Sequence, residues 1–284
     1  MFGTLYVVST PIGNLEDITL RALRVLKEVD LIAAEDTRHT AKLLARYEIR
    51  TSTTSLHEHN EREKVPALLD RLKAGQSIAV VSDAGTPGIR DPGFRLVRAA
   101  LDEHVRVEVV PGPSAVVSAL VASGFPMETF TFVGFPPPKA RARADWLGRV
   151  LAEPRTVVFF EAPHRIRETL DDLSRLAGDR EVAVARELTK VHEEVLRGTP
   201  ASVLARLASP RGEITVLLAP PPAGESADVP PPSDESISRA FAALLTESQT
   251  TRREAVSALA QRYHLPSKAV YAAIERQKAR TTDG

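Results

Sequence analysis

The chain has 284 residues, of which 43% are hydrophobic and 26% charged, a globular composition long enough for two domains and a small third unit. Cysteine is absent, which excludes disulfides and cysteine-ligated metal centres, and 37 basic residues balance 37 acidic ones, so any nucleic-acid-binding surface must be local. No apolar run reaches membrane-spanning length and no basic leader is present, so we expect a cytoplasmic protein without membrane contact.

Strands and helices alternate over the first part of the chain. Apolar, β-branched runs predict buried strands, and amphipathic or charged stretches between them predict helices. This alternation is typical of an α/β domain with a mostly parallel sheet, which we assign to residues 1–117. The predicted strands are 5–10, 30–34, 78–81 and 105–110, and the predicted helices are one capped by Asp17 or Thr19, one ending at Tyr47, and those at 60–74, 94–101 and 116–122.

The pattern changes near residue 118, where a second α/β domain with a mixed sheet is predicted for residues 118–219. Residues 220–233 contain six prolines and predict a semi-rigid linker. Residues 234–284 predict a helical module whose last two helices fit a helix-turn-helix. The strands predicted for the second domain lie in 129–135, 156–160, 181–185, 194–198 and 213–219, and the helices of the module at 236–246, 251–263 and 266–278.

A loop rich in glycine and proline, Ser82 to Gly93, directly follows the predicted strand at Ile78. Open α/β sheets bind ligands where their strands end, although glycine, proline and aspartate also dominate ordinary turns. Neither a P-loop nor a GxGxxG dinucleotide motif is present. Because several other loops with charged or glycine residues also follow strands, we predict one shared crevice. These loops are 10–15, 35–38, 111–115, 160–165 and 186–190.

Two local basic patches interrupt the neutral composition. Residues 136–149 carry Lys139, Arg141 and Arg143 and predict contacts with phosphates. From Gln249 onward seven basic residues outnumber three acidic ones, which favours nucleic-acid binding, while a packing or dimerising bundle is the alternative. His57 and His59 could form a metal pair, but a solvated polar loop is the preferred interpretation, and no metal site is predicted.

The motifs together resemble a known family. The run LYVVSTPIGNLEDITLRALRVLKEVDLIAAEDTRHT, with SDAGTPGIRDPG, VVPGPSA, FFEAPHR and VARELTKVHEE, resembles the ribosomal RNA cytidine 2′-O-ribose methyltransferases of the tetrapyrrole methylase-like superfamily. The resemblance extends from Leu5 to about Ala219, and the tail resembles the helical module of that family. It implies two α/β domains with S-adenosylmethionine bound between them, and a homodimer.

The resemblance also implies roles for particular residues. Methyl transfer to a hydroxyl requires collinear oxygen, methyl and sulfur, and a base adds to the rate. The candidate bases are Glu187, Lys190 and Glu161, with Asp36 and His57 as further possibilities. Residues expected to hold RNA are Arg38, Arg90, Lys139, Arg141, Arg143, Lys268, Arg276 and Lys278. Residues implied to contact the cofactor are Ser82, Asp83, Ala84, Gly85, Pro111, Ser114, Ala115, Phe160, Glu161, Ala185, Arg186 and Leu188.

The expected function is therefore methylation of the ribose 2′-OH of a cytidine in small-subunit (16S) ribosomal RNA. The expected partner is that RNA or the assembled small subunit. Two alternatives stay open: a methylase of a small tetrapyrrole-like substrate, and an RNA-binding protein that is not catalytic. The basic segments favour RNA, because an enzyme acting on a porphyrinoid needs neither of them.

Overall fold

A computed structural model describes residues 2–88, 92–208, 212–222, 234–247, 251–262 and 265–282. The chain divides into two compact units, residues 1–221 and 222–284. The first unit contains two β-sheets with helices on both faces, and the described residues of the second form three helices. Among the described residues, no helix is long and apolar enough to span a bilayer.

The first sheet is parallel throughout, with strand order β3-β2-β4-β1-β5. Helices α1 and α2 pack on one face and α3 and α4 on the other, which makes this a doubly wound sheet. Its elements are β1 Thr4–Val8, α1 Leu20–Glu28, β2 Leu31–Ala34, α2 Thr37–Arg46, β3 Thr53–Ser55, α3 Glu61–Lys73, β4 Ile78–Val81, α4 Phe94–Asp102 and β5 Arg106–Val110.

The sequence accounts for most of these elements. The residues of β2 and β4 are buried on both faces, which is why these strands are continuous apolar runs without alternation. The side chain of Thr19 caps α1 by accepting a hydrogen bond from Ala22 N at 3.0 Å, which confirms one of the two predicted caps. Strand β3 was not predicted, because Thr53–Ser55 is short, polar and lies at the sheet edge.

The second sheet is mixed, as predicted, with order β6-β7-β10-β8-β9. Only β6 and β7 are parallel, and β10 runs antiparallel to both of its neighbours. One face packs on α5 and the other on α6, α7 and α8. The elements are α5 Ala115–Ser123, β6 Phe130–Phe132, α6 Ala140–Leu151, β7 Thr156–Glu161, α7 Ile166–Ala177, β8 Val182–Arg186, β9 Glu194–Gly198, α8 Pro200–Arg206 and β10 Ile214–Leu218.

Helix α5 contains residue 117, the domain boundary expected from the sequence. It packs against β7, β8, β9 and β10 of the second sheet. Most of the expected linker, residues 223–233, lies outside the described part of the chain.

The second unit consists of α9 Asp234–Glu247, α10 Arg252–Arg262 and α11 Ser267–Thr282. These three helices enclose their own core, in which Ile237 and Phe241 of α9 are buried among residues of the other two helices. Thr251 and Glu254 exchange hydrogen bonds at the start of α10 and form a capping box. The buried residues of this unit therefore form a hydrophobic cluster of their own.

One predicted RNA contact is corrected by the fold. Arg143 lies on the buried face of α6, where its Nε donates to Asp172 at 2.7 Å and its guanidinium lies 3.2 Å from Glu168. Its charge is therefore already balanced by two carboxylates, and its side chain is not available to a phosphate. Lys139 and Arg141 are exposed and keep their predicted role as a proposal.

Candidate functional site

The loops after β1 and β4 are joined by hydrogen bonds between their backbones. Thr10 N donates to Gly85 O at 2.9 Å, and Gly85 N donates to Thr10 O at 3.1 Å. The hydroxyl of Thr10 donates to Ser82 O at 3.0 Å, and the hydroxyls of Ser9 and Thr86 lie 2.8 Å apart. These bonds hold the loop after β4 against the loop after β1, at the edge where the parallel strands end.

The loop after β2 is fixed to the same place. Asp36 N donates to Asp83 Oδ1 at 3.1 Å, and Asp83 N donates in return to Glu35 Oε2 at 3.2 Å. Each carboxylate thus accepts from a backbone N–H of the neighbouring loop. Three strand ends, those of β1, β2 and β4, are brought together in a single rigid edge.

A central cleft opens between this edge and the second sheet, in two adjoining cavities of about 160 and 390 Å³. Both cavities share six residues from the two sheets, so they form one continuous site. Its lining is Pro11, Ile12, Gly13, Leu15, Glu35, His39, Asp83, Ala84, Gly85, Thr86, Ser114, Ala115, Val116, Phe135, Phe160, Glu187, Leu188, Lys190, Gly212, Glu213 and Thr215.

Four carboxylates line the cleft, and because Glu187 is paired with Lys190, the other three, those of Glu35, Asp83 and Glu213, give the cleft a negative character. Burial raises the pKa of Glu35 above its ordinary value, and the charges of Asp83 and Glu213 act in the same direction. The hydrogen bond from the Asp83 N–H and the nearby His39 oppose this rise in the pKa of Glu35. A cation bound in the cleft would relieve the repulsion among these three groups, so the site favours a positively charged ligand.

The turn from Glu187 to Lys190 forms the opposite wall and is strained. Glu187 and Thr189 have φ values of 50° and 66°, in the left-handed region that non-glycine residues rarely adopt. Lys190 Nζ lies 2.9 Å from Glu187 Oε1, and Lys190 N donates to Glu187 O at 3.0 Å. A non-glycine residue with a left-handed backbone destabilises the folded protein by about 1–3 kcal/mol, and such residues concentrate at functional sites.

This turn touches the first sheet across the cleft. Asn14 N donates to Thr189 Oγ1 at 2.9 Å. A Cβ on Gly13 would lie 2.8 Å from Leu188 O and 2.7 Å from the side chain of Lys190, so only glycine permits this approach. The two α/β domains are therefore held together at the site itself.

An aromatic cluster forms the apolar part of the wall. The ring of Phe160 lies 5.0 Å from that of Phe132 and 5.5 Å from that of Phe135. Phe160 N also donates to Gly134 O at 2.8 Å, which fixes the backbone below the ring. The cleft thus offers one apolar surface and one acidic edge, a combination that suits an amphipathic cationic ligand.

The side chain of Glu161 has no access to this cleft, which corrects its expected role as a base. It is fully buried and accepts hydrogen bonds from Ala162 N at 2.7 Å and Thr169 Oγ1 at 2.6 Å. Its Oε1 also lies 2.7 Å from Arg165, whose guanidinium donates to Pro136 O. Glu161 therefore holds the loops around Phe160 in place, and it is not among the residues that line the cleft.

The structure brings together seven of the twelve predicted cofactor residues: Asp83, Ala84, Gly85, Ser114, Ala115, Phe160 and Leu188. Ser82 lines an adjoining groove instead. Pro111, Ala185 and Arg186 do not line the cleft, and Arg186 is ion-paired with Glu194 at 2.6 Å. The candidate bases Glu187 and Lys190 both line it.

Sequence reasoning missed several lining residues, Glu213 above all. Ile12 and Glu35 lie in two of the loops that follow predicted strands, 10–15 and 35–38, so the sequence could have identified them as lining residues. Glu213 instead precedes β10, whose first residue pairs with Glu161 and Arg186 at the ends of β7 and β8. Only the antiparallel direction of β10 brings its beginning to this edge.

The predicted RNA-binding residues have different surroundings. Arg38 is exposed but paired with Asp36 at 2.9 Å, and Arg276 is paired with Asp234 at 2.8 Å. Lys268 is exposed. Arg90 and the side chain of Lys278 lie outside the described part of the chain.

His57 and His59 lie in a polar turn between β3 and α3. His57 Nε2 lies 3.1 Å from the side-chain amide of Asn60, and the rings of His57 and His59 are 6.1 Å apart. Within the described ranges, no group of three or more histidine or acidic side chains could hold a metal ion.

The fold is that of a recognised family of methylases. A family model described as Tetrapyrrole (Corrin/Porphyrin) Methylases matches residues 4–204. Among solved structures, uroporphyrin-III C-methyl transferase from Thermus thermophilus, complexed with S-adenyl homocysteine, is similar with a TM-score of 0.54 and 22% identity. That likeness covers 76% of this chain and 97% of the other.

Relatives with higher identity narrow the assignment. A protein of Synechocystis sp., named ribosomal RNA small subunit methyltransferase I, is 44% identical over 95% of this chain and 96% of its own length. A protein of the same name from Vibrio cholerae serotype O1 is 55% identical over 70% of this chain and 69% of its own. This chain therefore belongs to the ribosomal RNA small subunit methyltransferase I group of the tetrapyrrole methylase family.

Proposed function

We propose that this protein is an S-adenosylmethionine-dependent methyltransferase that methylates the ribose 2′-OH of a cytidine in small-subunit ribosomal RNA. The observation that carries the proposal is the 44% identity with a relative of that name over 95% of the chain. The cleft supports it, because its acidic edge and aromatic wall suit a ligand with a positive charge and an apolar ring.

The residues present fit S-adenosylmethionine. Its sulfonium and ammonium charges would be met by Glu35, Asp83 and Glu213, and its adenine by Phe160 and Ile12. A side chain at Gly85 would project between Ile12 and Pro113, so glycine leaves that space to the ligand.

The turn at Glu187 supplies the groups for proton transfer. S-adenosylmethionine, when bound, supplies the electrophilic methyl group, and the ribose oxygen gains that methyl as the carbon–sulfur bond breaks. Glu187 takes the proton of the 2′-OH, and Lys190 keeps the carboxylate in place through their 2.9 Å ion pair. Lys190 is the weaker candidate for the base, because its ammonium group is engaged in that ion pair.

Ribose-methylation mapping tests the function directly. Small ribosomal subunits lacking the modification are incubated with the protein and labelled cofactor, and their RNA is digested and analysed by mass spectrometry. One new 2′-O-methylcytidine is expected. Labelling of a small tetrapyrrole instead of RNA would support the first alternative function, and cofactor-independent RNA binding without labelling would support the second.

The proposal extends to assembly and location. Val117 and Val121 lie on one face of α5 and are 53% and 61% exposed, and Val109 on the edge strand β5 is 54% exposed. Exposed apolar groups of this kind favour a protein interface, and we propose a homodimer. A cytoplasmic location follows from the proposed substrate, since bacterial ribosomes are assembled there.

Light scattering tests the dimer. The double variant Val117→Asp and Val121→Asp is expected to halve the measured mass, whereas wild-type protein that is already monomeric would refute the interface. The matched control is Leu101→Asp, an equally polar change at an exposed position of α4.

A further inference from the structure

A groove adjoins the central cleft on the side of α2. It has a volume of about 260 Å³ and shares Pro11, Leu15, His39 and Asp83 with the cleft. Its outer wall is α2, which contributes Lys42 among others. A ligand in this groove would lie directly beside a cofactor in the cleft, which is the relation that methyl transfer requires between donor and acceptor.

Helix α2 carries a row of exposed cations that leads to this groove. Arg38, Lys42 and Arg46 follow one another at intervals of four residues, about 6 Å apart along the helix, and α2 contains no acidic residue. At its start, Asp36 already pairs with Arg38. Lys42 and Arg46 are therefore the two cations of this row that could bind a ligand without first breaking an ion pair.

Lys42 and Arg46 have no carboxylate partner among the described residues. Lys42 makes no hydrogen bond or ion pair there, and the guanidinium of Arg46 lies 5.7 Å from the centre of the Tyr47 ring. Tyr47 in turn donates its hydroxyl to Leu15 O at 2.8 Å, which ties the end of α2 to the wall of the groove. Unpaired cations on a fixed helix beside a groove are suited to bind a phosphate chain.

We propose that the acceptor RNA strand lies along α2, with its phosphates on Lys42 and Arg46 and the target nucleoside in the groove beside the cleft. This inference rests on the proposed function and names the path of its substrate. Pro11 and Leu15 offer apolar surface to a base, and His39 and Asp83 offer polar groups to its edge or its ribose.

Salt-dependent binding of a labelled oligocytidylate tests the path. Each phosphate contact contributes about 0.7 to the slope of log affinity against log salt for single strands. The variant Lys42→Gln with Arg46→Gln is expected to lower that slope by up to about 1.4. The control, Arg62→Gln, removes an exposed charge from α3 on the opposite face of the sheet and should leave the slope unchanged.

Kinetics with small ribosomal subunits give a second measurement. The α2 variant should raise KM by about 3- to 30-fold, as the loss of two exposed ion pairs would. Its affinity for S-adenosylmethionine by calorimetry should match that of wild type. If wild type methylates RNA and the α2 variant has the same slope and KM as wild type, the proposed RNA path is wrong and the proposed function stands. An equal fall in slope in the control variant would also overturn the path. Absence of ribose methylation by wild type instead refutes the proposed function.

Discussion

Replacing Gly85 by alanine tests whether the loop after β4 contacts a ligand, and Gly88→Ala in the same loop is the control for backbone strain. Gly85 has φ +76° and Gly88 has φ +88°, so an added Cβ strains both positions alike, by about 1–2 kcal/mol. At Gly88 no atom of the described residues lies within 4 Å of that Cβ, whereas at Gly85 it would lie 3.7 Å from Ile12 Cγ2 and 3.8 Å from Pro113 O. Only the Gly85 methyl therefore occupies space inside the cleft.

Both variants should lose similar thermal stability, about 2–4 °C for each kcal/mol in a chain of this size. Overpacking by one methyl costs about 1–3 kcal/mol, so Gly85→Ala should weaken S-adenosylmethionine binding by about 5- to 150-fold. Gly88→Ala should bind the cofactor as wild type does. Calorimetric titration of the two folded variants decides the matter, and equal affinities would show that the loop does not contact the cofactor.

Four further outcomes are expected. Glu187→Gln should lower kcat by about 10²–10⁴ while cofactor affinity by calorimetry stays the same, because only proton transfer is lost. Burial raises the pKa of Glu35 above 4.5, so ionisation of this carboxyl destabilises the folded protein as pH rises through the raised pKa. Glu35→Gln should therefore have a higher Tm than wild type at pH 7, and the difference in Tm should disappear towards pH 4.5. The same variant should bind the cofactor more weakly. Replacing Lys139 and Arg141 by glutamine should flatten the salt dependence of RNA binding, and an unchanged slope would make them solvated surface. Deleting residues 234–284 should leave a folded, cofactor-binding protein with a raised KM for the small subunit, and a normal KM would mean that the tail serves another partner.

Apart from β3, the sequence predicted the strands of both sheets closely, because their residues are mostly apolar and β-branched and lie between turn residues. Strand β4, for example, was predicted at 78–81 and occupies Ile78–Val81. The loops that follow such strands could then be assigned to one edge, and the structure confirms that Asp83, Gly85 and Ser114 line one cleft.

The features that the sequence did not predict depend on the orientation of side chains and on contacts between residues distant in sequence. Arg143 lies one turn before Leu147 on the buried face of α6, so its place in an apolar stripe was a signal against a surface role. The burial of Glu161 depends on Thr169 and Arg165, which α7 brings to it. The left-handed backbone of Glu187 and Thr189 opposes local preference, so no propensity could have predicted it.

The order of strands in the first sheet has a consequence for how the protein emerges from the ribosome. Strand β4 lies between β1 and β2, and Ile78 is beside Leu5 on one side and Leu31 on the other. Until residue 81 has been synthesised, β1 and β2 therefore have an unpaired edge facing each other across a gap, a state prone to aggregation or chaperone binding. Insertion of β4 closes that gap and in the same step delivers the loop at Asp83 to its hydrogen-bond partners in the loops after β1 and β2.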